Sequence, residues 1–416
     1  MIRAVAALEP PDDGRLAAVR AALPALEAGI YLNTGSVGPL PAETAAAMAE
    51  LADYELHTGR AHTAYLEETL QRMAEARAAV AAVLTADVAD IALTHSTTDG
   101  MNIGVWSIDW GPGDRAVTTS LEHPGGIGAL YNLRERLGIE LAFVDVGPSR
   151  GTADLLADFD RAIDDRTRVV AISHALWASG TVLPIARIAE IAHARGAVVV
   201  VDGAQTAGAM PVDLAATGAD VYAIPAQKWL LGPEGMGAVA VAPSVRDRLA
   251  PAYGGHFTFR TIDSAGTADW WPDARRFEAS NYHRPSIVGM ARSIGWMSMF
   301  VGLDWIYERG AAMAREAARR LAAIDGVEVV TPVDRMATLV AFRIAGWPAQ
   351  VALDELSARV FAVARTVPLI DALRISVGFF TSDAELERFA GGVELLAAHS
   401  PATIPPRRSL TILTGG

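Results

Sequence analysis

The chain reads as an α/β protein: a mostly parallel sheet between helices, followed by a smaller α/β unit. Three observations predict this. Val198-Val199-Val200-Val201-Asp202 is an unbroken valine run ending in an acid, the pattern of a strand buried on both faces of a parallel sheet. Short apolar runs alternate with helical stretches from residue 42 to Val241, punctuated by turns such as Gly111-Pro112-Gly113-Asp114, as successive β–α units require. Beyond an irregular stretch, a second group of strands and helices fills residues 327 to 396.

The 416 residues are enough for one large domain and a smaller one with a sizeable core. The expected division is an N-terminal segment at 1–30, a large domain at 31–285 and a small domain at 286–416. A hydrophobic fraction of 51% with 20% charged residues is globular composition. No apolar run is both long and uncharged enough to span a membrane, and the opening MIRAVAALEPPDDGR makes a poor signal peptide. A soluble cytoplasmic protein is the expectation. The net charge of −13, with no basic cluster, argues against nucleic acid as a partner. The sequence contains no cysteine, which excludes disulfides and cysteine-ligated metal. No residue pattern points to a metal site.

In chain order, residues 1–30 are helical after Pro11, with Pro24 as a break. Ile30-Tyr31-Leu32-Asn33 is a short strand running into Gly35-Ser36-Val37-Gly38-Pro39, with Pro41 opening a helix. Helices cover 42–57 and 64–84. The strand Asp90–Thr94 leads into Ser96-Thr97-Thr98-Asp99 at a helix start. Hydroxyl residues there cap free amides, and the same amides and dipole hold a phosphate. Strand Arg115–Ser120 ends at Glu122-His123-Pro124. Strands at Glu140–Val146 and Arg168–Ser173 flank a helix at 152–164, and His174-Ala175-Leu176-Trp177 follows the second of them. A histidine directly after a strand end faces the crevice of such a sheet, although a structural hydrogen bond is the plainer role for a lone imidazole. After Val241 comes a long Trp-rich loop through Trp270-Trp271, then one long helix expected from Ile287 to Gly310. The closing unit has strands at Val327–Val330, Thr338–Arg343 and Leu373–Val377, with helices near 348–360 and at Asp383–Leu396.

The centre of this plan is Val198 to Val241. Asp202 ends one strand, and Lys228 lies between the strand Val221–Ile224 and the one after Gly237. Open α/β sheets bind ligands at the carboxyl ends of their strands, so an acid and a lysine reach one crevice. That pair suits pyridoxal 5'-phosphate (PLP): the amine condenses with the aldehyde, and the acid keeps the pyridine nitrogen protonated. Asp202-Gly203-Ala204-Gln205 and Lys228-Trp229-Leu230-Leu231-Gly232-Pro233-Glu234-Gly235-Met236-Gly237 match a D-x-A-Q…K-W-x-x-G-P-x-G-x-G pattern. In this the chain resembles aminotransferase class V, the PLP fold-type I group of cysteine desulfurases, isopenicillin N epimerase-like proteins and carbon–sulfur lyases. The resemblance runs from about Tyr31 to the last helix.

The resemblance implies a seven-stranded sheet in the large domain and a homodimer with shared active sites. It implies roles residue by residue: Lys228 carrying the cofactor and moving the α-proton, Asp202 on the pyridine nitrogen, His123 stacked on the ring and Gln205 on the phenolic oxygen. Thr97 and Thr98 hold the phosphate, with Gln227 and Ser280 beside them. Arg374, in Leu373-Arg374-Ile375-Ser376, clamps the α-carboxylate of an amino-acid substrate through its bidentate fork. Asn33, His174 and Trp177 line the substrate pocket. Two departures stand beside the lysine. Many members have Ser and His where this chain has Pro225 and Gln227; Pro225 donates nothing, so phosphate binding leans on Thr97, Thr98 and backbone amides. Ala279-Ser280 replaces Gly-Thr. With no enzyme thiol to take up sulfur, a persulfide-forming cysteine desulfurase is excluded on this reading. The favoured activity is β-cleavage of a cysteine S-conjugate; an aminotransferase, a decarboxylating oxidative deaminase of such a conjugate, and an amino-acid epimerase remain alternatives.

Overall fold

A computed structural model describes residues 14–279 and 281–407. Its centre is a seven-stranded sheet whose spatial order is Ile91–Thr94, Gly237–Val241, Val221–Pro225, Val198–Asp202, Thr167–Ser173, Arg115–Thr119, Glu140–Val144. All neighbours pair parallel except those of Gly237–Val241, which runs antiparallel to both of its partners. The valine run is buried at every position. Helices cover both faces, so each strand packs two cores, and the two apolar clusters divide its residues by alternation: Val199 and Val201 enter one, Val198 and Val200 the other.

A second, four-stranded antiparallel sheet runs Val327–Val329, Leu339–Ile344, Ala372–Ser376, Arg365–Val367. Three helices, Leu303–Ala322, Ala349–Val360 and Asp383–Ala397, pack on it. Ser382 and Glu385 close the start of the last one with a reciprocal capping box. The segment after residue 30 joins this sheet to the loop that follows Val221–Pro225, where the Gly38 amide donates to the Gln227 carbonyl at 2.7 Å. Ile30–Tyr31 pairs parallel with Ala362–Val363, and the Ser376 amide donates to the Leu32 carbonyl at 2.7 Å.

The single helix expected over 287–310 is two helices. Arg284–Gly295 continues through a π-helical turn, Trp296–Val301, and stops at Gly302, whose φ of 93° only glycine adopts easily. Leu303–Ala322 then starts at 85° to it. The break was hidden because Trp296 to Ile306 reads as one apolar stretch on either side of the glycine. Among the described residues no single helix is long and apolar enough to cross a membrane.

Candidate active site

The carboxyl ends of the parallel strands open onto a cavity of about 250 Å³, roofed by the small sheet and lined by Ser36, Thr97, His123, Trp177, Lys228 and Arg374 among others. Asp202 enters it from the end of its strand, 6% exposed, with Oδ1 accepting the Ala204 amide at 2.8 Å. The turn after it needs glycine, because a Cβ on Gly203 would sit 2.2 Å from the Tyr222 ring.

Lys228 follows the next strand on a loop pinned by Ala226 N to Met236 O at 2.9 Å and Gly232 N to Ala226 O at 2.8 Å. Leu231, three residues on, is a buried non-glycine at φ 53°, a conformation costing on the order of 1–3 kcal/mol that the surrounding packing must offset. Burial pushes the Lys228 amine down to about 8; Asp202 opposes the shift, and Arg374 and Arg365 add to it. A lysine held near neutrality can act both as nucleophile and as proton carrier.

His123 caps the helix Pro124–Leu137, its Nδ1 accepting the Gly125 amide at 3.1 Å. In the neutral ring the proton therefore sits on Nε2. Burial, then the nearby Lys228 charge, lowers its pKa, which favours the neutral imidazole. Its ring stands edge-on to Trp177 at 5.4 Å.

The start of the helix Thr97–Trp106 lines the same cavity. Ser96 caps it through the Asp99 amide at 3.1 Å, leaving Thr97 Oγ1 buried without a protein partner. Gln227 Oε1 is orphaned in the same way, and Thr98 also lines the wall. Free amides and the unpaired Thr97 hydroxyl are donors that a phosphate would satisfy, whereas the orphaned Gln227 Oε1 is an acceptor, so Gln227 would meet a phosphate only through its Nε2–H. The residues present fit PLP: Lys228 for the aldehyde, Asp202 for the ring nitrogen, His123 for the ring face and Thr97, Thr98 and Gln227 for the phosphate.

Opposite lies the small sheet. Arg374 is fully buried; Nη1 donates to the Trp177 carbonyl at 2.6 Å, while Nε and Nη2 have no partner. Burial, and secondarily Arg365, brings the guanidinium down to about 9. Unsatisfied buried donors are costly, and an anionic ligand relieves that cost. Arg365, its cross-strand partner, also faces the cavity. It donates to Ser36 Oγ at 3.1 Å and stacks over Trp177 at 5.4 Å.

Of the expected residues, Lys228, Asp202, His123, Thr97, Thr98, Gln205, Gln227, Trp177 and Arg374 line this one cavity. Gln205 is largely committed to the fold: Nε2 donates to Gly35 O and Oε1 accepts from Trp229, both at 2.9 Å, so one amide hydrogen remains for a ligand. Two expected pocket residues stand behind the wall. His174 is buried against Tyr222, hydrogen-bonded to its hydroxyl at 2.8 Å and held down to about 4 by desolvation. Its side chain turns under the sheet because the strand's alternation continues one residue past Ser173. Asn33 accepts from Ser36 Oγ at 2.8 Å and orients that hydroxyl. Ser280 lies outside the described residues. Arg365 was missed: Arg365-Thr366-Val367 carries no motif, and only its register with Arg374 reveals it.

The aminotransferase class-V family model matches residues 30–389. A probable cysteine desulfurase of Methanothermobacter thermautotrophicus is 32% identical over 312 residues, 74% of this chain and 76% of that one. A cysteine desulfurase of an Enterobacter species is 33% identical over 68% of this chain and 69% of its own. Among solved structures, the cystine C-S lyase C-DES in complex with its reaction product cysteine persulfide superposes with a TM-score of 0.84 at 26% identity, covering 91% of this chain and all of that one. A further structure of C-DES, a lysine-to-alanine mutant with glycine covalently linked to its PLP cofactor, superposes equally well.

These relatives overturn one expectation. Excluding persulfide chemistry, and preferring a lyase that releases a simple thiol from a cysteine S-conjugate, was wrong: curated relatives are cysteine desulfurases, and a close structural match releases a persulfide. The error was physical. A missing thiol forbids a persulfide on this chain and does not forbid one on the product. With the motifs, the parallel sheet and the family model all in agreement over most of its length, the chain belongs to aminotransferase class V and is a PLP-dependent enzyme of fold type I.

Proposed function

We propose that this enzyme mobilises sulfur from cysteine or its disulfide, cystine, and delivers it as a persulfide carried by a thiol from outside the chain. One observation carries the reading: the cavity keeps the lysine, the acid and the carboxylate clamp of α-carbon chemistry, while the sequence contains no cysteine to receive sulfur. Cystine meets that requirement by itself. Cleavage of its Cβ–S bond, with loss of the α-proton, leaves both sulfurs on the other half as cysteine persulfide. With one water, the remaining fragment becomes pyruvate and ammonia.

Bound PLP supplies the aldehyde that captures the amine and the electron sink for charge at Cα. The chain's own residues do the rest. Arg374 grips the α-carboxylate with its two spare donors. Lys228, poised near pH 8, takes the α-proton. Arg365 offers a second guanidinium on the same side, which suits the second carboxylate of a disulfide substrate. Homodimeric assembly and a cytoplasmic setting belong to this proposal through the family resemblance and composition; light scattering of the holoenzyme tests the former.

The test is to incubate holoenzyme with cystine, and separately with cysteine, in the presence of an alkylating trap. The expected result is alkylated cysteine persulfide with equimolar pyruvate from cystine, and an unchanged protein mass. Turnover with sulfur recovered only as a simple thiol rejects the proposal.

A further inference from the structure

Glu122 is 6% exposed and has no part in the chemistry above. It lies where two strands part. Arg115–Thr119 and Thr167–Ser173 pair in parallel only as far as Val117 and Val170. Beyond that point side chains replace the ladder: Thr118 Oγ1 donates to the Ala171 carbonyl at 2.7 Å, and the Glu122 carboxylate accepts the Ser173 amide at 3.0 Å. The Ser173 and Thr119 hydroxyls also donate to it. Ser173 is in direct register with Asp202 on the next strand, and the following amide, of His174, donates to the Asp202 carbonyl at 2.9 Å. On its other side, Glu122 is bonded through the peptide to His123.

We propose that Glu122 is a positioning residue: its buried carboxyl fixes the opened strand ends so that His123 and Asp202 keep their places in the one cavity they line, and its charge adds to that of Asp202. The carboxyl does three things together. It closes the gap that makes the crevice. It satisfies a buried amide that the diverging ladder leaves free. It places a second acid behind Asp202. Facing it are Asp202, the hydroxyls of Thr119 and Ser173, and the Ser173 amide. Burial raises its pKa to about 7; the hydrogen bonds from Ser173 and Thr119 oppose the rise, and Asp202 adds to it. Glu122 therefore gains its negative charge across neutral pH. That charge stands behind Asp202, whose own charge raises the pKa of the Lys228 amine, so removing it is expected to lower the pH at which the cofactor-bound lysine loses its proton.

The test follows the visible absorption of the holoenzyme against pH and needs no substrate, so it stands or falls separately from the persulfide reading. Glu122→Gln keeps the shape and most hydrogen bonds without the charge. The expected result is retained PLP with an absorption midpoint lowered by about half a pH unit. Ser173→Ala removes one donor, keeps Glu122 protonated to higher pH, and is expected to move the midpoint the same way by less. It carries the test if Glu122→Gln fails to fold. An unmoved midpoint in the folded variant overturns the proposal, as does a midpoint that rises.

Discussion

The two walls of the cavity are built in opposite ways. On the large-sheet wall the polar groups are mostly held by protein: Asp202 takes an amide, His123 caps a helix, and Gln205 bridges Gly35 and Trp229. On the small-sheet wall two cations, Arg374 and Arg365, face each other across adjacent strands, and Arg374 keeps two donors unpaired in full burial. The first wall is a preformed seat for a resident cofactor. The second is left electrostatically unfinished, and on the proposed reading a substrate carboxylate would complete it. A site that must retain one ligand and turn over another gains from this division, because binding energy is reserved for the transient partner.

The comparison can be broken most sharply at Lys228. Lys228→Ala is expected to lower turnover by about 10⁴-fold and abolish the visible band of the lysine-bound cofactor, while leaving the fold unchanged by circular dichroism. The next effect is in pH. Only the neutral amine attacks an aldehyde, and Lys228 sits near 8 in the cofactor-free protein. PLP capture by apoprotein, followed by absorbance, should therefore speed up roughly tenfold per unit below that value and level off above it. On the other wall, Arg365→Ala should raise KM for cystine about tenfold and affect cysteine less, since cysteine lacks the second carboxylate. The smallest effect concerns the link between the walls. Gly38 donates to the Gln227 carbonyl at 2.7 Å, and a Cβ there would lie 2.2 Å from the Lys228 carbonyl. Gly38→Ala should cost about 1–3 kcal/mol in a denaturant melt and shift cofactor affinity more than KM.

The same contrast explains what was legible in the sequence. The large-sheet wall is local: a valine run, an acid at its end and a lysine between two apolar strands are short-range patterns, and they located Asp202 and Lys228. Arg374 was legible through the resemblance of Leu373-Arg374-Ile375-Ser376 to the family's motif, with the strand alternation of Leu373, Ile375 and Val377 arguing against a surface salt bridge. Arg365 was not, since its meaning lies in register with Arg374. His174 misled because a position after a strand end does not say which way the side chain turns; here it turns to Tyr222. The bend at Gly302 escaped because tertiary packing cut a continuous apolar pattern there. The exclusion of persulfide chemistry failed for a different reason: composition describes the chain's own groups and says nothing of those its substrate brings.

The most direct measurement of the division between the walls is a pair of titrations on Arg374→Leu. PLP is titrated into the apoprotein, and cysteine into the holoenzyme, both followed by absorbance. Unchanged PLP affinity together with amino-acid affinity lowered about a hundredfold is the predicted result. Parallel loss of both affinities, or an undiminished affinity for cysteine, would contradict it.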